Sequence, residues 1–298
     1  MTAYAKVEQL SLRVASAHAR RRAWFSRGMT GVLVLALLLA VIPLALILAV
    51  IVVNGLPAVN WEFLTSTFNF SRRTQGGGYF HGLIGTLYMG GLATLMAIPA
   101  GIGAAVFLSE FPRHWLAGPV RFFSDVMTGV PSVFVGLFVY TILVRQIGFG
   151  TFVGALSLAI IMLPIVVRSA EEILRLVPAD LKRASYALGA RHWQTVFGVV
   201  LPTAAPGLVT AAMLAVARAL GETAPLVLTA LAAQTVVLDF QGGGQTALPL
   251  LIFREARGAF EAGQQRAWAG ALELMVLVLL LTIIARAFGA RRGQGSRG

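Results

Sequence analysis

Long uncharged runs separated by short polar stretches set the pattern of this chain. Residues 29–53 hold no charged side chain over 25 positions. As a helix rising 1.5 Å per residue, such a run crosses a hydrocarbon layer of about 30 Å. It is too long for the core of a signal peptide and lacks a convincing small-residue cleavage site, so it predicts a first transmembrane helix that is retained. Residues 82–109 form a second uncharged run, rich in small residues: Gly82, Gly85, Gly90, Gly91, Ala93, Ala97 and Gly101. Small side chains let helix backbones approach closely, which predicts a span packed against other helices and not bathed in lipid. Further spans are expected at 123–144 (with Asp125 at its edge), 149–167, 202–233 and 268–287.

The connections differ in character. Residues 54–81 carry an aromatic set, Trp61, Phe63, Phe68, Phe70, Tyr79 and Phe80, and the run Gly76-Gly77-Gly78. A second glycine run, Gly242-Gly243-Gly244, follows the fifth span; such runs read first as flexible turns and second as contacts for an external protein. Residues 168–201 hold Arg168, Glu171, Glu172, Arg175, Asp180, Lys182, Arg183 and Arg191, a polar helix-forming segment too long for a simple turn. Six spans place both termini on one side. That side receives 17 of the 24 Lys and Arg residues, the opposite side six, and Arg218 stays inside. The positive-inside rule then puts a 1–27 tail, the 168–202 segment and a 289–298 tail in the cytoplasm.

Composition agrees with a multi-pass, all-α integral membrane protein: 57% of residues are hydrophobic and only 12% charged, against about 25% charged in soluble domains. The net charge of +12 would suggest nucleic acid in a soluble protein; here loop asymmetry accounts for it, and no nucleic acid is expected. The chain has no cysteine, which removes thiolate chemistry and Cys-based metal sites. His18, His81, His114 and His192 show no ligand spacing and read as interfacial or loop residues. No cofactor is implied.

The sharpest chemical signal lies in the fifth span. Arg218 and Glu222 are the charges of a stretch otherwise uncharged from His192 to Leu238. A charge at the bilayer centre costs about 3 kcal/mol on insertion scales. Spaced by four, the two can pair on a helix face. Pro225 has no N–H for the carbonyl of Gly221, so Gly221 and Pro225 mark a weakened helix beside the charges. Charge plus a broken helix is the usual make-up of a transport site; the bland alternative is an ion pair that locks packing. Arg168, at the end of the fourth span, reads equally as an exit-side contact or a positive-inside anchor. Glu273, two turns beyond Arg266, is expected to snorkel or pair near the outer interface.

Within the polar segment, Ala184, Gly189, Val199, Leu201 and Pro202 describe a short helix, a turn that Gly189 makes cheaply, and a second amphipathic piece ending at Pro202. Such a knob suits docking to a soluble partner, or else lies on lipid headgroups. Its spacing resembles the EAA loop of type I ABC-importer permeases, which fits a cleft on the ATPase subunit. Arg183 stands where that family usually has Glu, and Ser185 where it has the second Ala. The strings Thr128-Gly129-Val130-Pro131-Ser132, continuing to Gly136 and Tyr140, and Arg218-Ala-Leu-Gly-Glu222-Thr-Ala-Pro225-Leu226 resemble the PstA-type phosphate permeases, as do Leu163-Pro164-Ile-Val-Val-Arg168 and Ala267-Trp268-Ala-Gly-Ala. The resemblance covers about residues 28–288.

That resemblance implies a type I permease fold with its core at about 80–287. It also implies a second, PstC-like permease, a PstB-like ATPase pair, a PstS-like extracytoplasmic phosphate-binding protein, and residence in the bacterial cytoplasmic membrane. It further implies that Arg168 and Arg218 serve uptake. The chain has no Gly-x4-Gly-Lys-Ser/Thr loop, so ATP hydrolysis by that route belongs to a partner. Other readings stay open at this level: an importer for sulfate or molybdate, a secondary anion transporter, or a membrane scaffold. ATP dependence and oxyanion competition separate them.

Overall fold

The computed structural model describes residues 17–67, 76–240 and 243–294. Lys6, Glu8, Arg13, Phe68, Phe70, Arg72, Arg73, Gly242 and Arg297 lie outside the described residues, so the readings made on them stay as expectations. Among the described residues the chain is helical, with no strand.

Residues 1–53 and 54–298 are two compact units. In the first, α1 (Ala17–Gly55) is a single helix of 39 residues. It reaches back well into the stretch expected to be a tail, because Ala, Arg and Trp between 17 and 27 carry no helix breaker. Pro43 lies inside it. Its apolar side chains are exposed along the described length, Leu33, Leu39 and Leu46 among them.

The second unit holds α2 (Trp61–Thr65), α3 (Phe80–Glu110), α4 (Ala117–Gly129), α5 (Ser132–Ile147), α6 (Thr151–Arg175), α7 (Ala179–Ala187), α8 (His192–Leu220), α9 (Ala224–Thr229), α10 (Leu248–Ala256) and α11 (Glu261–Gln294). Among the described residues five helices are long and apolar enough to cross a membrane: α1, α3, α6, α8 and α11. A sixth crossing exists if the bent pair α4–α5 counts as one.

The packing supports that count. Gly154 of α6 sits against Met89 of α3, and Gly101 of α3 sits against Val166 of α6. Both contacts keep the same sequence offset, so α3 and α6 run parallel. Parallel neighbours need a return crossing, and α4–α5 is the chain that makes it. The expectation of one straight span at 123–144 is therefore corrected. The pair bends by 105° at Val130-Pro131. Pro131 disfavours the helical conformation for the residue before it, and Val130 is extended (ψ 126°). Asp125, expected at a span edge, lies inside α4, as does Arg121.

The small-residue reading of the second span holds. Gly82, Gly85, Gly90, Ala93, Ala97 and Gly101 are buried, while Gly91 is exposed. Met89, Ala93 and Ala97 of α3, Leu158 and Met162 of α6, and Ala215, Ala219 and Leu220 of α8 form the main core. At Gly101 an added Cβ would lie 2.7 Å from Val166, so the glycine sets how closely the helices approach.

At the end where α3 finishes, α7 and the start of α8 form a polar connector. The opposite, far end is closed by Phe63 and Tyr79, whose tilted rings lie 5.3 Å apart and pack against Leu248, Leu251 and Ala269. Of the aromatic set of residues 54–81, Phe63 and Tyr79 are thus core residues, while Trp61 is exposed. Two of the far-end glycines are packed as well. A Cβ on Gly78 would collide with the Phe63 carbonyl, and one on Gly244 with that of Leu231.

Candidate functional site

Two helix breaks meet at one place in the second unit. The first is the α4–α5 bend at Pro131. The second separates α8 from α9: α8 ends at Leu220, and the chain turns through Gly221–Thr223 before α9 begins at Ala224. The Gly221 N–H donates to the Arg218 carbonyl at 3.2 Å and the Glu222 N–H to the Ala219 carbonyl at 3.1 Å, a tightened last turn. Pro225 sits in the first turn of α9, where its missing N–H is harmless; continuing α8 through it would drive its ring into the Gly221 carbonyl. A Cβ on Gly136 of α5 would lie 2.7 Å from the Pro225 Cα, so the two broken helices touch through this glycine.

Beside that contact is a cavity of about 180 Å³. Arg218 and Glu222 line it from the second break, Pro131 and Ser132 from the first, and Ile161 and Ile165 form an apolar wall on α6. The Arg218 Nε lies 3.8 Å from Glu222 Oε1, with the guanidinium side chain 62% exposed and the carboxylate 19%. The expected pairing is present, but its geometry differs from a helix-face pair. Glu222 lies past the helix end, and the turn brings it back. At 3.8 Å the pair is longer than a charge-assisted hydrogen bond of about 2.7–2.9 Å. Ile161 and Ile165 belong to the middle of α6. Arg218 is thus level with the middle of α6.

Arg168 follows Ile165 by one turn on α6. Its Nε is 2.9 Å from Asp125 Oδ1 and its Nη1 is 3.6 Å from Glu171 Oε2. Glu171 is the hub of this end. Its side chain is 2% exposed, and it also pairs with Arg121 at 2.8 Å and with Arg175. Arg121 further donates to the Leu108 carbonyl at 2.9 Å, fastening α4 to both α3 and α6. The Arg168–Glu171–Arg175 spacing was readable as helix neighbours. Arg121 and Asp125, some 50 residues away, gave no sequence signal of joining them.

The connector is held to the bundle by Glu110, the last residue of α3, which pairs with Lys182 of α7 and at 3.3 Å with His192 of α8. Ser185 and Thr195 hydroxyls lie 2.9 Å apart across its turn. Gly189 takes φ +83°, the left-handed position that ends α7 and suits glycine. Ala184 and Gly189 are exposed, with Leu176, Leu188 and Trp193 presented beside them. Val199, Leu201 and Pro202 do not share that surface. They lie inside α8, and Leu201 packs toward Ala105, Ala170 and Leu174. The expected end of the segment at Pro202 is thus corrected, since a π-helical stretch at Val196–Val200 precedes the proline and the helix runs on through it.

Two further readings are corrected. Glu273 is buried, and neither carboxyl oxygen has a hydrogen-bond partner among the described residues. Arg266, its expected neighbour, pairs with Glu255 at 3.0 Å, because α10 folds back along the start of α11. His81, read as interfacial, is fully buried in α3.

Residues 97–294 match the family described as binding-protein-dependent transport system inner membrane component. The chain is 37% identical over 255 residues to the phosphate transport system permease protein PstA 1 of Mycobacterium tuberculosis, covering 83% of this chain and 81% of that one. It is 40% identical over 221 residues to the PstA protein of Yersinia pestis, covering 74% and 75%. A solved structure of the inward-facing MetNI methionine ABC transporter shares the fold at a TM-score of 0.52 and 21% identity, covering 73% of this chain and 94% of that one. This multi-pass membrane protein belongs to the PstA family of binding-protein-dependent transport permeases.

Proposed function

We propose that this chain is the transmembrane permease subunit of an ATP-driven importer of inorganic phosphate in the bacterial cytoplasmic membrane, with both termini and the connector cytoplasmic. The observation that carries the reading is the cavity where two broken helices meet beside the Arg218–Glu222 pair. Phosphate is strongly hydrated, and a path through lipid must replace its water with donors. The guanidinium fork of Arg218 offers several N–H groups to an oxyanion. The N-terminal end of α5, opening at Ser132, adds its positive dipole end. Glu222 holds Arg218 when the path is empty, and the anion takes that place as it passes. Arg168 forms the next contact toward the cytoplasm.

The subunit supplies half of the pathway, with a second permease of the same kind supplying the other half. A soluble binding protein delivers phosphate, and two copies of an ATPase drive the cycle. The connector is the coupling surface. Ala184 and Gly189, with Leu188 and Trp193 around them, insert into the ATPase. Lys182, His192 and Glu110 transmit its motion to α3, while Val199, Leu201 and Pro202 transmit it as the rigid root of α8.

The complete transporter, reconstituted in vesicles with its binding protein, is expected to accumulate labelled phosphate only when supplied with ATP, and a tenfold excess of sulfate or molybdate should leave uptake unchanged. Uptake without ATP would overturn the importer reading, and full competition would reassign the substrate. For the coupling surface, a cysteine at Gly189 paired with one in the ATPase cleft should cross-link in the active complex. A complex that transports while no cleft position cross-links would place the coupling elsewhere.

A further inference from the structure

The guanidinium of Arg168 is held by two carboxylates of opposite character. Glu171 is buried, shared with Arg121 and Arg175, and lies 3.6 Å from Arg168. Asp125 is 54% exposed, lies 2.9 Å from Arg168, and among the described residues pairs with that arginine alone. Three arginines thus face two carboxylates, leaving one excess positive charge that becomes two when Asp125 swings away. Position adds to this. Asp125 is one turn before Thr128 on α4, and Arg168 one turn after Ile165 on α6; Thr128 and Ile165 both line the Arg218 cavity. The Asp125–Arg168 pair therefore lies one helical turn to the connector side of the cavity that the Arg218–Glu222 pair lines.

We infer that Asp125 is an exchangeable carboxylate guarding Arg168, displaced by the passing oxyanion and returning to expel it, as a second station below the Arg218–Glu222 pair. Glu171 does not exchange; burial and three partners fix it, and it keeps Arg168 aimed while Asp125 moves. The arrangement gives a binding step that is reversible by the protein itself. An arginine without a competing carboxylate would retain the anion, whereas one always occupied would not accept it. Asp125 is thus a positioning and release residue of the pathway. This inference rests on the reading of the chain as a phosphate permease.

The test uses the whole transporter. Equilibrium binding of labelled phosphate is measured on the purified complex without ATP, alongside ATP-driven uptake in vesicles. With Asp125→Asn, loss of the competitor for a partly exposed guanidinium should tighten phosphate binding about fivefold and lower the maximal uptake rate by a similar factor. Asp125→Glu should restore both. Adding Arg168→Gln to Asp125→Asn should remove the tightening. A carboxylate that merely fastens α4 to α6 would weaken or leave unchanged the binding in Asp125→Asn, and either result overturns the proposal. If the unaltered transporter moves no phosphate at all, it is the function that fails; if it does, and Asp125→Asn behaves as the parent, only the role of Asp125 fails.

Discussion

Replacing Arg218 by Gln is expected to reduce phosphate uptake by about two orders of magnitude while the complex still assembles. The guanidinium is the one cationic group lining the cavity between the broken helices, and hydrogen bonds to a charged group contribute about 1.5–3 kcal/mol each. Losing that at the point of passage corresponds to roughly tenfold to hundredfold in rate. Folding should barely change, because the side chain is 62% exposed and its pairing with Glu222 is long at 3.8 Å. Arg218→Lys keeps the charge but loses the planar fork, so it should fall between the two. The measurement is initial uptake at matched levels of assembled complex. Normal transport by the glutamine variant would remove Arg218 from the pathway and, with it, the functional meaning of the helix break.

Replacing Glu171 by Gln should have the opposite profile: a loss of the folded subunit first, and of transport as a consequence. The carboxylate is 2% exposed and binds Arg121, Arg168 and Arg175. Removing one partner from a buried ionic cluster typically costs about 3–5 kcal/mol. The arginines keep part of their solvent access, so the lower end of that range is expected. The thermal unfolding midpoint of the complex in detergent, and its level in membranes, should both drop clearly. Asp125→Asn, acting on an exposed carboxylate, should leave both nearly unchanged. Equal stability of the Glu171→Gln complex would mean that α4 is held by apolar contacts alone.

The same physics explains what could be read from the chain. Residues 29–53 and 82–109 announce helices because a bilayer demands long uncharged runs with every backbone group satisfied internally. Arg218 and Glu222 announce a site because a charge inside such a run is costly. Pro225 announces a break because of its ring and missing N–H. Pro131 carries the same signal, yet the run 123–144 still read as one span, since a hydrophobic count does not register a bend. Pro202 misled in the other direction: it suggested an end where α8 continues on the support of its neighbours. Ala184 and Gly189 formed the exposed turn that the sequence suggested, while Leu201 and Pro202 proved to be its buried or helical root.

Charge pairing was the least legible level. Arg168, Glu171 and Arg175 follow helical spacing, but Arg121 and Asp125 join them only because α3 and α6 run parallel and oblige α4–α5 to return between their ends. Glu110 meets Lys182 and His192 by the same route, and Glu273 is buried without a partner because α10 draws Arg266 toward Glu255. The sequence by itself determined the class of protein, the helices, and the intramembrane charges with their break, because these depend on local composition and on the solvent the chain must satisfy. The tertiary structure alone decided which breaks meet, how wide a cavity they leave and which carboxylate holds which arginine, because those depend on distances between segments that sequence order does not encode.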